Sequence, residues 1–317
     1  MSLLTVDTLF TIYSFLEKDK PFVFFLATNK AHNELKHKFR YDKSTLICDT
    51  GKWNSLTISY FPNIVWRVLA NNVKQIRGVP KHCNALQINY NRVLRAGNIP
   101  SHVTKFYFCA NYDRPVTKGV IPNTVTHLEI GEKCIWLTNP DMLPDSLETL
   151  VLNGYAPLQS RKLPNSLKKL VLNGRFFNSY DLQIIPSSLE TLKFGEHCDV
   201  SLHFYYTKGS SGIDVMHPLH KTKIKKLILS EKFDVPLFSS NLPENLVWLK
   251  FGKYFNQEIH IDVLPETLRH IEFGKSYNQK VYLDFIPKSI ETVVVRNTYM
   301  YEYFHQYDLW FECIYKP

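Results

Sequence analysis

The sequence predicts an α+β fold: a short helical module over residues 1–40, then a solenoid with a parallel sheet, one strand per repeat of about 22 residues. Three observations carry this expectation. An Ile/Leu/Val-Pro dipeptide recurs with its prolines at 80, 100, 122, 144, 164, 186, 243, 265 and 287, so that most intervals are 20 or 22 residues. Apolar residues recur at fixed distances after each proline. The first forty residues show helical rather than strand-like spacing.

The repeat is dense. Counting from each proline, with Lys221 standing in across the long 186–243 interval, positions 3, 6 and 8 hold aliphatic or Phe residues in twenty-nine of thirty cases. The exception is Cys83. Positions 6 and 8, two residues apart, point to one face of a short strand. Position 3 falls on the turn leading in. Proline, which cannot donate to a ladder, suits the strand entry. Ser, Thr or Asn at position 2 (Thr124, Ser146, Ser166, Ser188, Asn245, Thr267, Ser289) is placed to satisfy turn backbone groups. Gly, Asn or Ser at position 9 marks where the chain bends away from the strand. One such unit cannot bury its own triplet; stacked units can.

The return half of each unit carries an aromatic or Cys at position 12 (Tyr112, Cys134, Cys198, Phe233, Phe255, Tyr277). Asp or Asn follows at position 13 (Asp113, Asp199, Asp234, Asn256, Asn278). The first is expected to fill the far wall and the second to bond the backbone of the neighbouring coil. A row of catalytic carboxylates would not alternate between Asp and Asn.

Stretches such as Leu264-Pro-Glu-Thr-Leu-Arg-His-Ile-Glu-Phe-Gly-Lys-Ser-Tyr-Asn-Gln279 resemble FNIP repeats, relatives of the leucine-rich repeat abundant in social amoebae and in giant viruses of amoebae. The resemblance is recognisable from Pro80 and best from Pro186 to Val295. Only Phe255-Asn256-Gln257 reproduces the full Phe-Asn-Gln motif.

Ahead of the repeats, Leu4, Leu9, Ile12, Phe15, Leu16, Phe22, Phe25 and Leu26, with Asp19 between the helices and Asn29-Lys30 after them, resemble an F-box. Leu4-Thr5 replaces the usual opening Leu-Pro, and the usual late Trp is missing near His32. The resemblance implies that these eight apolar residues dock a Skp1-like adaptor, joining the chain to a cullin-type ubiquitin ligase. The alternative is a helical cap shielding the first coil.

Residues 41–78 are expected to connect the two parts, with short strands at Thr45–Cys48 and Ser55–Ile58 and a degenerate first coil anchored on Pro62. Residues 79–295 form the solenoid, and the extra residues of its long interval fall at about 203–220, around Lys208-Gly-Ser-Ser-Gly212. This insertion reads as a tolerated surface excursion or a recognition loop. The aromatic tail, 296–317, is expected to close the last triplet as a C-terminal cap.

Function is sought on positions 5 and 7, which should face away from the core. The patch Lys193, Lys226, Ile228, Trp248, Lys250, His270 and Glu272 is the candidate target-binding surface, centred on Trp248. A Trp packed on neighbouring lysine stems is the alternative. The net charge of +9 raises nucleic-acid binding as another class, but glutamates interrupt the strand faces. No phosphate-binding loop, nucleophile elbow, HExxH or acid pair is visible, and the histidines His203, His217 and His220 lack the partners of a metal set, so no enzyme activity and no cofactor is expected. Six cysteines without paired spacing, no secretory leader and no apolar run of about eighteen residues point to reduced thiols and a cytoplasmic or nuclear setting, the host's if the source is viral.

Overall fold

A computed structural model describes residues 46–49, 66–79, 81, 83–133, 140–154, 163–174, 185–196, 219–239 and 241–317. The F-box-like segment, the strand expected at Ser55–Ile58, and the insertion up to residue 218 lie outside them.

Among the described residues, thirteen strands pair in chain order in one parallel sheet. They are β1 (Leu46–Asp49), β2 (Trp66–Ala70), β3 (Ala85–Ile88), β4 (Lys105–Tyr107), β5 (His127–Ile130) and β6 (Thr149–Leu152), followed by β7 (Lys169–Leu172), β8 (Thr191–Phe194), β9 (Lys226–Ile228), β10 (Trp248–Lys250), β11 (His270–Glu272), β12 (Thr292–Val295) and β13 (Glu312–Tyr315). The described helices are α1 (Val73–Arg77) and α2 (Thr298–His305). Adjacent strands pair position for position: Leu150 faces Leu170, Leu170 faces Leu192, and Leu249 faces Ile271. The long interval leaves the register intact, because Lys226, Leu227 and Ile228 pair with Thr191, Leu192 and Lys193.

The core is the predicted triplet. Leu147, Leu150 and Leu152 are buried on one coil, as are Leu246, Leu249 and Phe251 on another. Each such side chain contributes about 2 kcal/mol of burial, available only once a neighbouring coil covers it. The strand entry is a tight turn in which the position-3 N–H donates to the proline carbonyl, as in Leu147 to Pro144 at 3.1 Å and Leu268 to Pro265 at 2.9 Å. Hydroxyls at position 2 stitch each turn to the coil before it: Ser146 Oγ donates to the Val125 carbonyl, Ser166 to Leu147, Ser188 to Leu167 and Ser289 to Leu268, at 2.7–3.1 Å.

The far wall is aromatic in the later coils. Phe233, Phe255 and Tyr277 stack at 5.8 Å from coil to coil, and Phe251 and Phe273 lie against Phe255 and Tyr277 at 4.0 and 4.4 Å. At position 13, Asp234 Oδ1 accepts from the Asn256 N–H and Asn256 Oδ1 from the Asn278 N–H, both at 2.9 Å. These bonds run along the outside of the stack, where the chain turns. The position-9 glycine follows from close approach: a Cβ on Gly252 would overlap the Ser230 carbonyl, one coil back. Three residues before the proline the backbone turns left-handed, at Gly97 (φ 79°), Gly119 (φ 82°) and Asp262 (φ 61°).

The sheet extends at both ends of the described residues. β2 sets Val68, at the position-6 place counted from Pro62, opposite Leu86, and β1 pairs with β2 on its other side. The aromatic tail folds as α2, which buries Met300 and Phe304, and then returns as β13 beside β12. It is a further coil as well as a cover.

Candidate protein-binding face

Positions 5 and 7 of successive strands form the face opposite the core, and on β8–β11 the parallel register sets the candidate residues in two rows. Lys226, Trp248 and His270 align in one row; Lys193, Ile228, Lys250 and Glu272 align in the other. Two residues on one strand share a face because side chains alternate, and two on neighbouring strands meet because strands lie about 4.8 Å apart.

The first row is a stack. The Trp248 ring lies parallel to the His270 imidazole, 5.3 Å away with 5° between planes, and Lys226 Nζ sits 4.0 Å from its other side. Trp248 therefore has its two faces covered and its edge left for contact. The expectation of an outward Trp and the alternative of a Trp packed on lysine both describe part of this geometry. Burial lowers the His270 pKa below its ordinary value, the Glu272 carboxylate opposes that shift, and Lys316 and Lys226 add to it. The shift favours the neutral imidazole, which stacks on Trp248 as an aromatic ring.

The second row contains a charge cluster. Glu272, expected at the surface, is buried. Lys250 Nζ and Arg296 Nε each donate to Glu272 Oε1 at 2.8 Å. Burial pushes the carboxyl pKa up, but these two cations outweigh burial and hold it below the usual carboxylate range. Position 7 is in general less exposed than alternation alone predicts: Tyr107, Val171 and Val294 are buried too. The side chains of neighbouring strands crowd one another on this face. Lys193 remains exposed, and Ile228 and Lys250 are half-buried.

The face encloses an open groove of about 1150 Å³, reached by Gln87 of β3 at one end and Glu272 of β11 at the other. Five glutamates and four lysines line it, so the groove as a whole is close to electrically balanced. Glu129 is tied to Asn153 Nδ2 at 2.9 Å, and Asn153 Oδ1 accepts from Asn173 Nδ2 at 2.8 Å, which continues the ladder across three coils. Sequence reasoning missed this ladder. Its signal was the Asn-Gly pair at 153–154 and again at 173–174.

Burial pushes the thiol pKa up to about 12 at Cys83 and about 11 at Cys313, which disfavours the reactive thiolate at both. Among the described residues no cluster of His, Cys, Asp or Glu is arranged to hold a metal, and no helix is long and apolar enough to cross a membrane. The eight adaptor candidates, Leu4 to Leu26, lie outside the described residues.

A parallel solenoid with coils of about 22 residues and an open sheet face defines a repeat protein of the leucine-rich-repeat type. Part of the array matches a known repeat: the family model FNIP Repeat matches residues 90–133, 156–197 and 255–293. The fold is similar to that of CroV588, described as a novel circular LRR protein structure, with a TM-score of 0.59 and 23% identity over 75% of this chain. The match covers 34% of that protein, so the chain spans about a third of its length. No curated protein sequence matches the chain.

Proposed function

We propose that this chain is a protein-binding scaffold whose groove, from β3 to β11, holds a target, and whose residues 1–40 dock a Skp1-like adaptor so that a cullin-type ligase modifies that target. The observation that carries the binding reading is the face itself: a groove with near-balanced charge, an ordered Trp edge and a half-buried Ile228. Such a mixture of apolar and polar side chains suits a protein surface. The ligase half rests on the F-box-like pattern of Ile12, Phe15, Leu16, Phe22, Phe25 and Leu26. In this reading the chain supplies proximity, and its partners supply the chemistry.

The test is capture of a purified Skp1-type adaptor by the full chain, and by a Phe22→Asp/Leu26→Asp variant. The wild type is expected to retain the adaptor and the variant to lose it, with target capture from a lysate unchanged. Failure of the wild type to bind any adaptor removes the ligase role and leaves the scaffold. Strong, salt-sensitive retention of DNA or RNA in place of protein overturns the scaffold reading as well.

A further inference from the structure

The charge along the groove is balanced in total but not locally. Three of its five carboxylates are spoken for. Glu129 bonds Asn153, Glu272 is clasped by Lys250 and Arg296, and Glu231 Oε2 accepts the Lys253 N–H at 3.0 Å. The cations on the sheet face of β7–β9, of which Lys193 lines the groove and Lys169 and Lys226 lie beside it, are not. Lys169 and Lys193 are exposed, Lys226 rests on Trp248, and none of the three has a carboxylate partner among the described residues. Lys169 and Lys226 occupy the same register position two strands apart, with Thr191 between them. That places them about 10 Å from each other, the span of three residues of extended chain. What this part of the face offers is hydrogen-bond donors and positive charge, next to the apolar side chain of Ile228.

We propose that the sheet face of β7–β10, where Lys193, Ile228 and Trp248 line the groove and Lys169 and Lys226 lie beside it, holds an extended acidic segment of the partner protein, with carboxylates on Lys169, Lys193 and Lys226 and an apolar side chain against Ile228 and the Trp248 edge. This deepens the scaffold reading and rests on it. A peptide fits better than a nucleic acid. The basic stretch covers only a few strands, and the exposed carboxylates of Glu190 and Glu196 flank it, which interrupts the track a continuous phosphate backbone needs. Electrostatic complementarity of this kind sets on-rate and specificity more than raw affinity, so binding should weaken as salt rises.

The experiment uses the full chain and a short fluorescein-labelled peptide of repeated Glu-Glu-Leu, read by fluorescence anisotropy at low ionic strength. The controls are the same peptide with Gln for Glu and an oligothymidine of equal charge. Wild type is expected to bind the acidic peptide at least about tenfold more tightly than the Gln peptide. A Lys169→Gln/Lys193→Gln/Lys226→Gln variant is expected to lose that preference, while lysines elsewhere (Lys74→Gln/Lys118→Gln) leave it intact. Thermal melts check that each variant folds. The second variant losing the preference equally, or the oligothymidine binding more tightly than the peptide, overturns the proposal. So does a wild type that does not distinguish Glu from Gln. If target capture persists in the triple variant while peptide binding is absent throughout, the scaffold stands and the acidic segment falls.

Discussion

The coils of β6 and β7 and those of β10 and β11 bury the same kind of triplet in two different ways. At positions 3 and 6 the two pairs are interchangeable: Leu147, Leu150, Leu167 and Leu170 on one side, Leu246, Leu249, Leu268 and Ile271 on the other, all essentially inaccessible. They diverge from there on. The earlier pair has Leu at position 8, then Asn-Gly, with an amide ladder from Glu129 through Asn153 to Asn173. The later pair has Phe at position 8, then Gly, and an aromatic stack through Phe251, Phe255, Phe273 and Tyr277. At position 7 the earlier pair presents Val151 and Val171, the later pair Lys250 and Glu272. The strand entry is fixed by the solenoid; the exit from the strand is where coils acquire individual stability and chemistry.

This difference is breakable by mutation. The largest effect is expected at Phe255, which touches Phe233, Phe251 and Tyr277 and has no exposed surface. Phe255→Ala should cost about 3–5 kcal/mol, seen as a lowered urea midpoint. A loss no greater than that of Asn153→Ala would mean that the two exits are equivalent.

Next comes the buried carboxylate. Glu272→Val leaves Lys250 and Arg296 without their shared acceptor and should cost about 2 kcal/mol. The double change Lys250→Val/Glu272→Val, which imports the valines of β6–β7, should recover part of that loss, since a buried ion pair is commonly replaceable by apolar side chains. The same cluster predicts acid sensitivity. The Glu272 pKa is lower in the folded protein than in the unfolded chain, so its contribution is complete above the ordinary carboxylate range and is lost as pH falls through the depressed folded value. Unfolding midpoints measured at descending pH should fall more steeply for wild type than for the double variant.

Asn153→Ala should cost about 1 kcal/mol, because Glu129 Oε1 and Asn173 Nδ2, both partly buried, lose a partner. The smallest effect is expected where the lead-in turns left-handed. Asp262→Gly removes the side-chain penalty at φ 61° and should stabilise by about 0.5 kcal/mol in the same unfolding assay. Destabilisation there would show that the Asp side chain itself holds the turn.

Much of this was legible in the sequence, for a physical reason. Positions 3, 6 and 8 repeat because every coil meets the same neighbour, so a local pattern encodes a tertiary contact. Position 13 was legible for the same reason, since Asp234, Asn256 and Asn278 each bond the adjoining coil. Glu272 was not. Its burial depends on Arg296, twenty-four residues on, and on the crowding of a face that alternation alone describes as exposed. The strand β13 was hidden for a related reason. In Glu312-Cys-Ile-Tyr315 the place of the usual Leu is taken by Cys313, and no proline anchor announces the coil. Trp248 was found, but its cover of Lys226 and His270 became visible only with the register.

The join between β8 and β9 has a practical consequence. Pro186 and the next anchor position, Lys221, are separated by more chain than any other consecutive pair of anchors, yet Leu192 meets Leu227 in unbroken register. The stack reads only what it touches and is indifferent to how much polypeptide leaves and returns between two touching coils. That makes the join a natural splice point, where a reporter domain or an affinity tag can be carried while the neighbouring layers keep their packing.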